Sequence, residues 1–193
     1  DHGSLYGAVE FYKKAKERKI KPIIGSEVYL APLGMYNKRS KIDDRRYHLI
    51  LLAKNQEGYK NLVKLTTKAW LEGHYYKPRI DKDLLKKHSG GLIGLSACLS
   101  GEIPRLIHTG KIEEAEKSAL EYRKIFGENN FYLEIEHHPG LAAQEPVNQE
   151  IIKLAKKHKI GLVATNDVHY LNPEDAEAQD ILMAVQTKSQ LDD

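Results

Sequence analysis

The feature that most constrains the fold is an alternation of short β-branched, apolar runs with longer stretches whose apolar residues recur at helical spacing. Ser4 can cap a helix in which Leu5, Val9 and Tyr12 share one face, while Lys13, Lys14, Glu17 and Arg18 supply the polar side. Residues 22–30 read as a strand buried on both faces, apolar apart from Ser26 and Glu27. Residues 32–46 are polar, basic and rich in turn formers, which predicts a surface loop before a second strand over 47–53 that carries His48 near its start. A helix follows over 56–70, with Tyr59, Leu62, Val63 and Ala69 close on the wheel, and Pro78 makes the run 74–79 a loop. Gly90-Gly91 ends a short helix and opens a strand over 92–95 that stops at Ser96-Ala97-Cys98. The pattern repeats as a helix over 112–126, a strand over 131–135, a helix over 146–158 and a strand over 161–165, closed by Asn166-Asp167-Val168-His169.

Such alternation predicts a parallel sheet with helices outside, either an open doubly wound sheet or a β/α barrel. The polar residues favour the barrel. Glu27 lies within a strand, and Cys98 and the Asp167/His169 pair fall at or just past strand C-terminal ends, where β/α folds gather their sites and a closed barrel converges them best. No repeat, low-complexity tract or linker breaks the 193 residues, which read as one domain.

Composition removes several classes. A net charge of +3, with both signs well represented, does not by itself mark a nucleic-acid binder. One cysteine forms no internal disulfide and suits a reducing compartment, so cytoplasm is the expectation. No run approaches the roughly 18 apolar residues of a membrane span, and the opening DHGSLYG lacks the character of a leader. A chain that starts at Asp1 without methionine and enters a helical pattern at once is expected to be a piece of something longer.

His2, Glu27, His48, Cys98, Asp167 and His169 together form a coherent ligand set for zinc or its neighbours, which take imidazole, thiolate and carboxylate. Each has a bland counterpart. A carboxylate such as Glu27 inside an apolar strand needs a partner, which a metal, an arginine or backbone amides could provide. Asp167 and His169, two apart, would project to one face of a continuing strand, or cap a loop. His2 precedes a helix start, whose dipole favours the neutral imidazole, or is a solvated terminal residue. Cys98 is a ligand or a small buried hydrophobe.

The segments DHGSLYG (1–7), KPIIGSEVY (21–29), YHLILLAK (47–54), YYKPR (75–79), LSACLSGE (95–102), EIEHH (134–138) and ATNDVHY (164–170) resemble the PHP (polymerase and histidinol phosphatase) domain of the bacterial DNA polymerase III alpha subunit. The likeness runs over nearly the whole chain. It implies an α/β fold, a distorted seven-stranded β/α barrel that here lacks its first strand together with the His-x-His pair and the following ligand borne upstream. It implies up to three metal ions, commonly zinc with manganese or iron as alternatives, at His2, Glu27, His48, Cys98, Asp167 and His169. His138 matches a further histidine beside the cleft, with His137 its competitor should the local alignment slip.

The resemblance implies that Asp167, His169 and Glu27 serve metal-dependent phosphodiester hydrolysis in a candidate 3′-5′ proofreading exonuclease, with pyrophosphate hydrolysis a variant. The rival is a metal-stabilised scaffold that docks a separate exonuclease subunit. Palm, fingers and thumb lie outside these residues. Through the parent chain the implied partners are DNA, the sliding clamp, the clamp-loader and the exonuclease subunit, with no membrane. Direct DNA contact could come from Lys38, Arg39, Lys41, Arg45 and Arg46, or from Tyr75, Tyr76, Lys77 and Arg79, where basic and aromatic groups interleave.

Overall fold

The computed structural model describes residues 1–190, and in them helices pack against a six-stranded sheet of order β3-β1-β2-β4-β5-β6. The strands are β1 (Gly25–Leu30), β2 (Tyr47–Ala53), β3 (Arg79–Ile80), β4 (Leu92–Leu95), β5 (Phe131–Glu136) and β6 (Gly161–Thr165). The helices are α1 (Ala8–Glu17), α2 (Gln56–Leu71), α3 (Lys82–Lys87), α4 (Glu102–His108), α5 (Ile112–Phe126), α6 (Gln144–His158) and α7 (Ala176–Thr187), the last preceded by a 3₁₀ turn at Pro173–Asp175.

The sheet is mixed rather than parallel. β2 runs antiparallel to both β1 and β4, whereas β1/β3, β4/β5 and β5/β6 are parallel pairs. The loop over 31–46 stays at the C-terminal end of β1, so the chain re-enters the sheet from that end and runs back down. His48, near the start of β2, therefore sits opposite Tyr29, near the end of β1.

Strand alternation divides the sheet into two unlike faces. Val28, Leu30, Leu49, Leu51 and Leu133 point into the core, where Leu62 and Leu65 of α2, Leu85 of α3, Ile103 of α4, Ala115, Ala119 and Tyr122 of α5 and Ile151 of α6 cover them. Glu27, Tyr29 and His48, and across the sheet Glu134 and Glu136, belong to the other face by the same alternation. The helices take the apolar face and leave the acids and imidazoles on the inner one.

Helix starts follow local chemistry. Asn55 Oδ1 accepts from Gly58 N at 2.9 Å to open α2, and Asp81 Oδ1 accepts from Leu84 N at 2.8 Å to open α3. The expected cap at Ser4 is not used: α1 begins at Ala8, Asp1 Oδ2 accepts from Gly7 N at 2.8 Å, and Ser4 is buried with its carbonyl accepting from Ser26 Oγ. Leu5 precedes the helix, and Val9 and Tyr12 are half exposed rather than core. Pro78 ends a loop as expected, but Arg79 behind it belongs to β3. Helices α4 and α7 escaped the periodicity reading, α4 because it is under two turns long and α7 because it buries none of its residues.

The sheet is open at β3 and β6, and among the described residues no seventh strand closes it. It is nevertheless strongly curled. Asp1–Gly3 run beside β1 through Glu27 N to Asp1 O and Gly3 N to Glu27 O, and the His2 ring comes within 5.9 Å of the His169 ring beyond β6. The two ends of the sheet thus meet at one rim.

Candidate metal centre

That rim gathers the polar residues singled out by the sequence. Glu27, one-tenth exposed, lies with Oε1 2.7 Å from His48 Nδ1 and Oε2 3.7 Å from His2 Nε2. The first is an ion-pair distance without the alignment of a directed hydrogen bond, so Oε1 is buried and unsatisfied. Cys98 Sγ stands 3.7 Å from the same His48 nitrogen, delivered by a sharp turn in which Ala97 takes a left-handed φ of 62°. His2 completes this side, its ring 6.5 Å from that of His48.

On the other side Asp167 also adopts a left-handed φ, 47°, which ends β6 and turns the chain, so Asp167 and His169 do not sit on a continuing strand. His169 Nδ1 contacts the Asp167 carbonyl oxygen at 2.7 Å and lies 4.0 Å from its carboxylate. His138 is brought in, its Nε2 3.1 Å from Glu136 Oε2, while His137 is exposed. Ligand atoms of Glu136, His138 and Asp167 all lie within 4.8 Å of one another, close enough to share one cation.

Glu136 and its neighbour Glu134 were not among the residues expected to bind metal. Both sit in β5, almost wholly buried and two residues apart, so they share a face. The signal was the one that marked Glu27, acids inside an apolar strand, and it was present twice in FYLEIE. Thr165 Oγ1 donates to Glu134 Oε1 at 2.5 Å, but Oε2 is buried without a partner. Two hydrogen bonds with the Asn148 side chain fix the β5 backbone, Nδ2 donating to the Glu136 carbonyl at 2.7 Å and Oδ1 accepting from Glu136 N at 3.4 Å.

Burial pushes the Glu136 carboxyl up to about 7, with Asp167, Glu134 and Glu27 adding repulsion, and burial raises Glu134 as well. Burial would raise Glu27 too, but His48, His2 and His169 outweigh it and hold the carboxyl below its ordinary value. Burial drives the Cys98 thiol up to about 12, and Asp167, Glu27 and Glu136 add to this. Four carboxylates, four imidazoles and a thiol converge with two orphaned oxygens and, among the described residues, no lysine or arginine paired to any of the carboxylates. This donor set fits divalent cations, which would satisfy the orphans and relieve the repulsion.

The basic and aromatic residues separate by placement. Arg79 is buried to 1% and donates to the carbonyls of Gly73, Asp43, Met35 and Asn37, so it clamps the 31–46 loop and is closed to nucleic acid. Arg39 is bidentate to Asp43. Lys38, Lys41, Arg45 and Tyr76 are exposed, Tyr75 is half-buried, and Arg46 and Lys77 approach Tyr29 beside His48.

An inner sheet face lined by imidazoles and acids, curled so that its ends meet, defines an α/β domain with a cluster of cation-type donors at its rim. Residues 1–138 match the model of the PHP domain, and the chain belongs to that family. Along its whole length it is 50% identical to the DNA polymerase III subunit alpha of Borreliella burgdorferi, 50% to that of Thermus aquaticus and 47% to that of Treponema pallidum. The chain spans 17% of the first of these relatives and 16% of each of the others.

Proposed function

We propose that this chain is the PHP domain of a replicative DNA polymerase alpha subunit and that it holds a multinuclear metal site for phosphodiester hydrolysis at a DNA 3′ end, a proofreading exonuclease. The observation that carries the reading is the unsatisfied charge: buried carboxylates of β1 and β5 face one another and Asp167, with imidazoles between them, an arrangement that is costly without cations.

In this reading His2, Glu27, His48 and Cys98 form one half of the site, and Asp167, His169, His138 and Glu136 the other. Zinc suits the imidazole, thiolate and carboxylate set, with manganese or iron as substitutes and up to three ions in the complete domain. The ions would polarise a phosphate ester and make an attacking water more acidic. Glu27, Asp167 and His169 orient the reacting groups, and Thr165 fixes Glu134 behind them. A further strand between the Asp1–Gly3 edge and β6 would complete a seven-stranded barrel and cover the exposed face of β6. The chain is one domain of a cytoplasmic protein whose polymerase chemistry lies outside these residues, and its partners are DNA and replisome subunits such as the sliding clamp, the clamp-loader and an exonuclease subunit. No helix among the described residues is long and apolar enough to cross a membrane.

A second reading, a metal-stabilised scaffold that docks a separate exonuclease, draws on the apolar surface left open: Val9, Phe11 and Tyr12 on α1, and Ile181, Leu182, Met183 and Val185 on α7. The deciding experiment measures degradation of 3′-labelled DNA by the full-length protein, with chelator and metal add-back, in a background whose polymerase site is inactivated. Cation-dependent shortening that disappears in Asp167→Asn supports the nuclease. Bound metal without shortening leaves the scaffold.

A further inference from the structure

Among the basic residues around the centre, Arg46 and Lys77 stand apart. Arg46 Cζ lies 5.7 Å and Lys77 Nζ 5.8 Å from the centroid of the same ring, that of Tyr29, whose own centroid is 5.4 Å from His48. Arg46 ends the long loop at the start of β2, and Lys77 lies near the end of the loop before β3, so two separate connections deliver one cation each to one place. Neither has a carboxylate partner among the described residues, whereas Arg39 is paired and Arg79 is consumed by carbonyls. Arg46 makes one bond, to the Asp44 carbonyl at 3.2 Å, which leaves other guanidinium donors open.

Tyr29 is two residues beyond Glu27 on the same face of β1, about 7 Å further out toward the rim. The two cations therefore sit one step beyond Glu27 and level with His48, at the outer edge of that half of the centre. That is the scale on which successive phosphates follow one another along a strand. A polynucleotide whose backbone continues outward past the centre would bring its next phosphate to them. Tyr29 is mostly buried, so the ring on which both cations rest is held in place by the fold.

We infer that Arg46 and Lys77, mounted on Tyr29, form a subsite for the backbone phosphate next to the one presented to the metal centre, which makes the substrate a polynucleotide strand rather than a free phosphate ester. This rests on the hydrolytic reading for its purpose, but not for its test. The full-length protein is held in chelator, where no turnover occurs, and lysine acylation is read by mass spectrometry with and without a single-stranded deoxyoligonucleotide or inorganic phosphate. The oligonucleotide should protect Lys77 several-fold and leave Lys19, in the connection that precedes the N-terminal end of β1, unchanged, and the protection should fall in Arg46→Gln. Equal acylation of Lys77 with and without oligonucleotide overturns the subsite, as does protection by inorganic phosphate alone. Protection that persists in a protein shown elsewhere to lack nuclease activity supports the subsite and sinks only the hydrolysis.

Discussion

At the scale of single residues, Glu136 makes the sharpest claim. Its folded carboxyl, pushed up to about 7 against an ordinary value of 4.5, keeps its proton over a range in which the unfolded chain has lost it. The folded state then binds more protons, so this group's contribution to stability falls as pH rises from about 4.5 to about 7 and is level above. Thermal denaturation of the metal-free protein at pH 5.5 and 7.5, compared with Glu136→Gln, isolates the effect. The variant should gain stability at pH 7.5, about 2–4 °C in Tm for each kcal/mol of repulsion removed, and should gain much less from added cation. Glu27 was legible in the sequence because one acid interrupts an apolar run. Glu134 and Glu136 obey the same rule, two acids at strand spacing inside the apolar run FYLEIE. That His138 rather than His137 faces Glu136 was not legible, since a one-residue slip at the end of a strand exchanges inside for outside.

At the scale of elements, most helices and strands followed from periodicity, and the main departure was the direction of β2. A strand pattern carries no arrow, and a 16-residue loop can return the chain either way. The reversal places His48 at the rim, where a parallel strand would have put its beginning at the far end. The loop that makes the reversal depends on Arg79, which donates to four carbonyls, three of them through buried hydrogen bonds. Arg79→Met should cost about 3 kcal/mol or more, since several buried acceptors lose their donor at once. Chemical denaturation checks this, and a loss under about 1 kcal/mol would remove the loop clamp from the account. The α2 start makes a separate prediction. A Cβ at Gly58 would lie 1.8 Å from the Gly91 carbonyl oxygen, so Gly58→Ala should destabilise by about 1–3 kcal/mol although alanine is the better helix former.

At the scale of the whole molecule, the fold concentrates its polar cost at one rim and leaves apolar surface at two helices. Buried acids lower stability until a cation binds, so the domain and its metal should be linked: a divalent ion at one hundred times its Kd should add about 2.7 kcal/mol, seen as a rise in Tm that chelator reverses. Sheet closure was the least legible property, because the sequence shows which residues alternate but not how far a sheet curls or what pairs with its edges. The central claim is that the rim binds metal, and elemental analysis of the purified full-length protein tests it most directly when wild type is compared with Glu27→Gln and Asp167→Asn. Wild type should retain zinc, manganese or iron after dialysis, and each variant should lose bound metal while remaining folded. Wild type without metal, or variants that hold as much as wild type, would contradict the assignment of these residues as ligands.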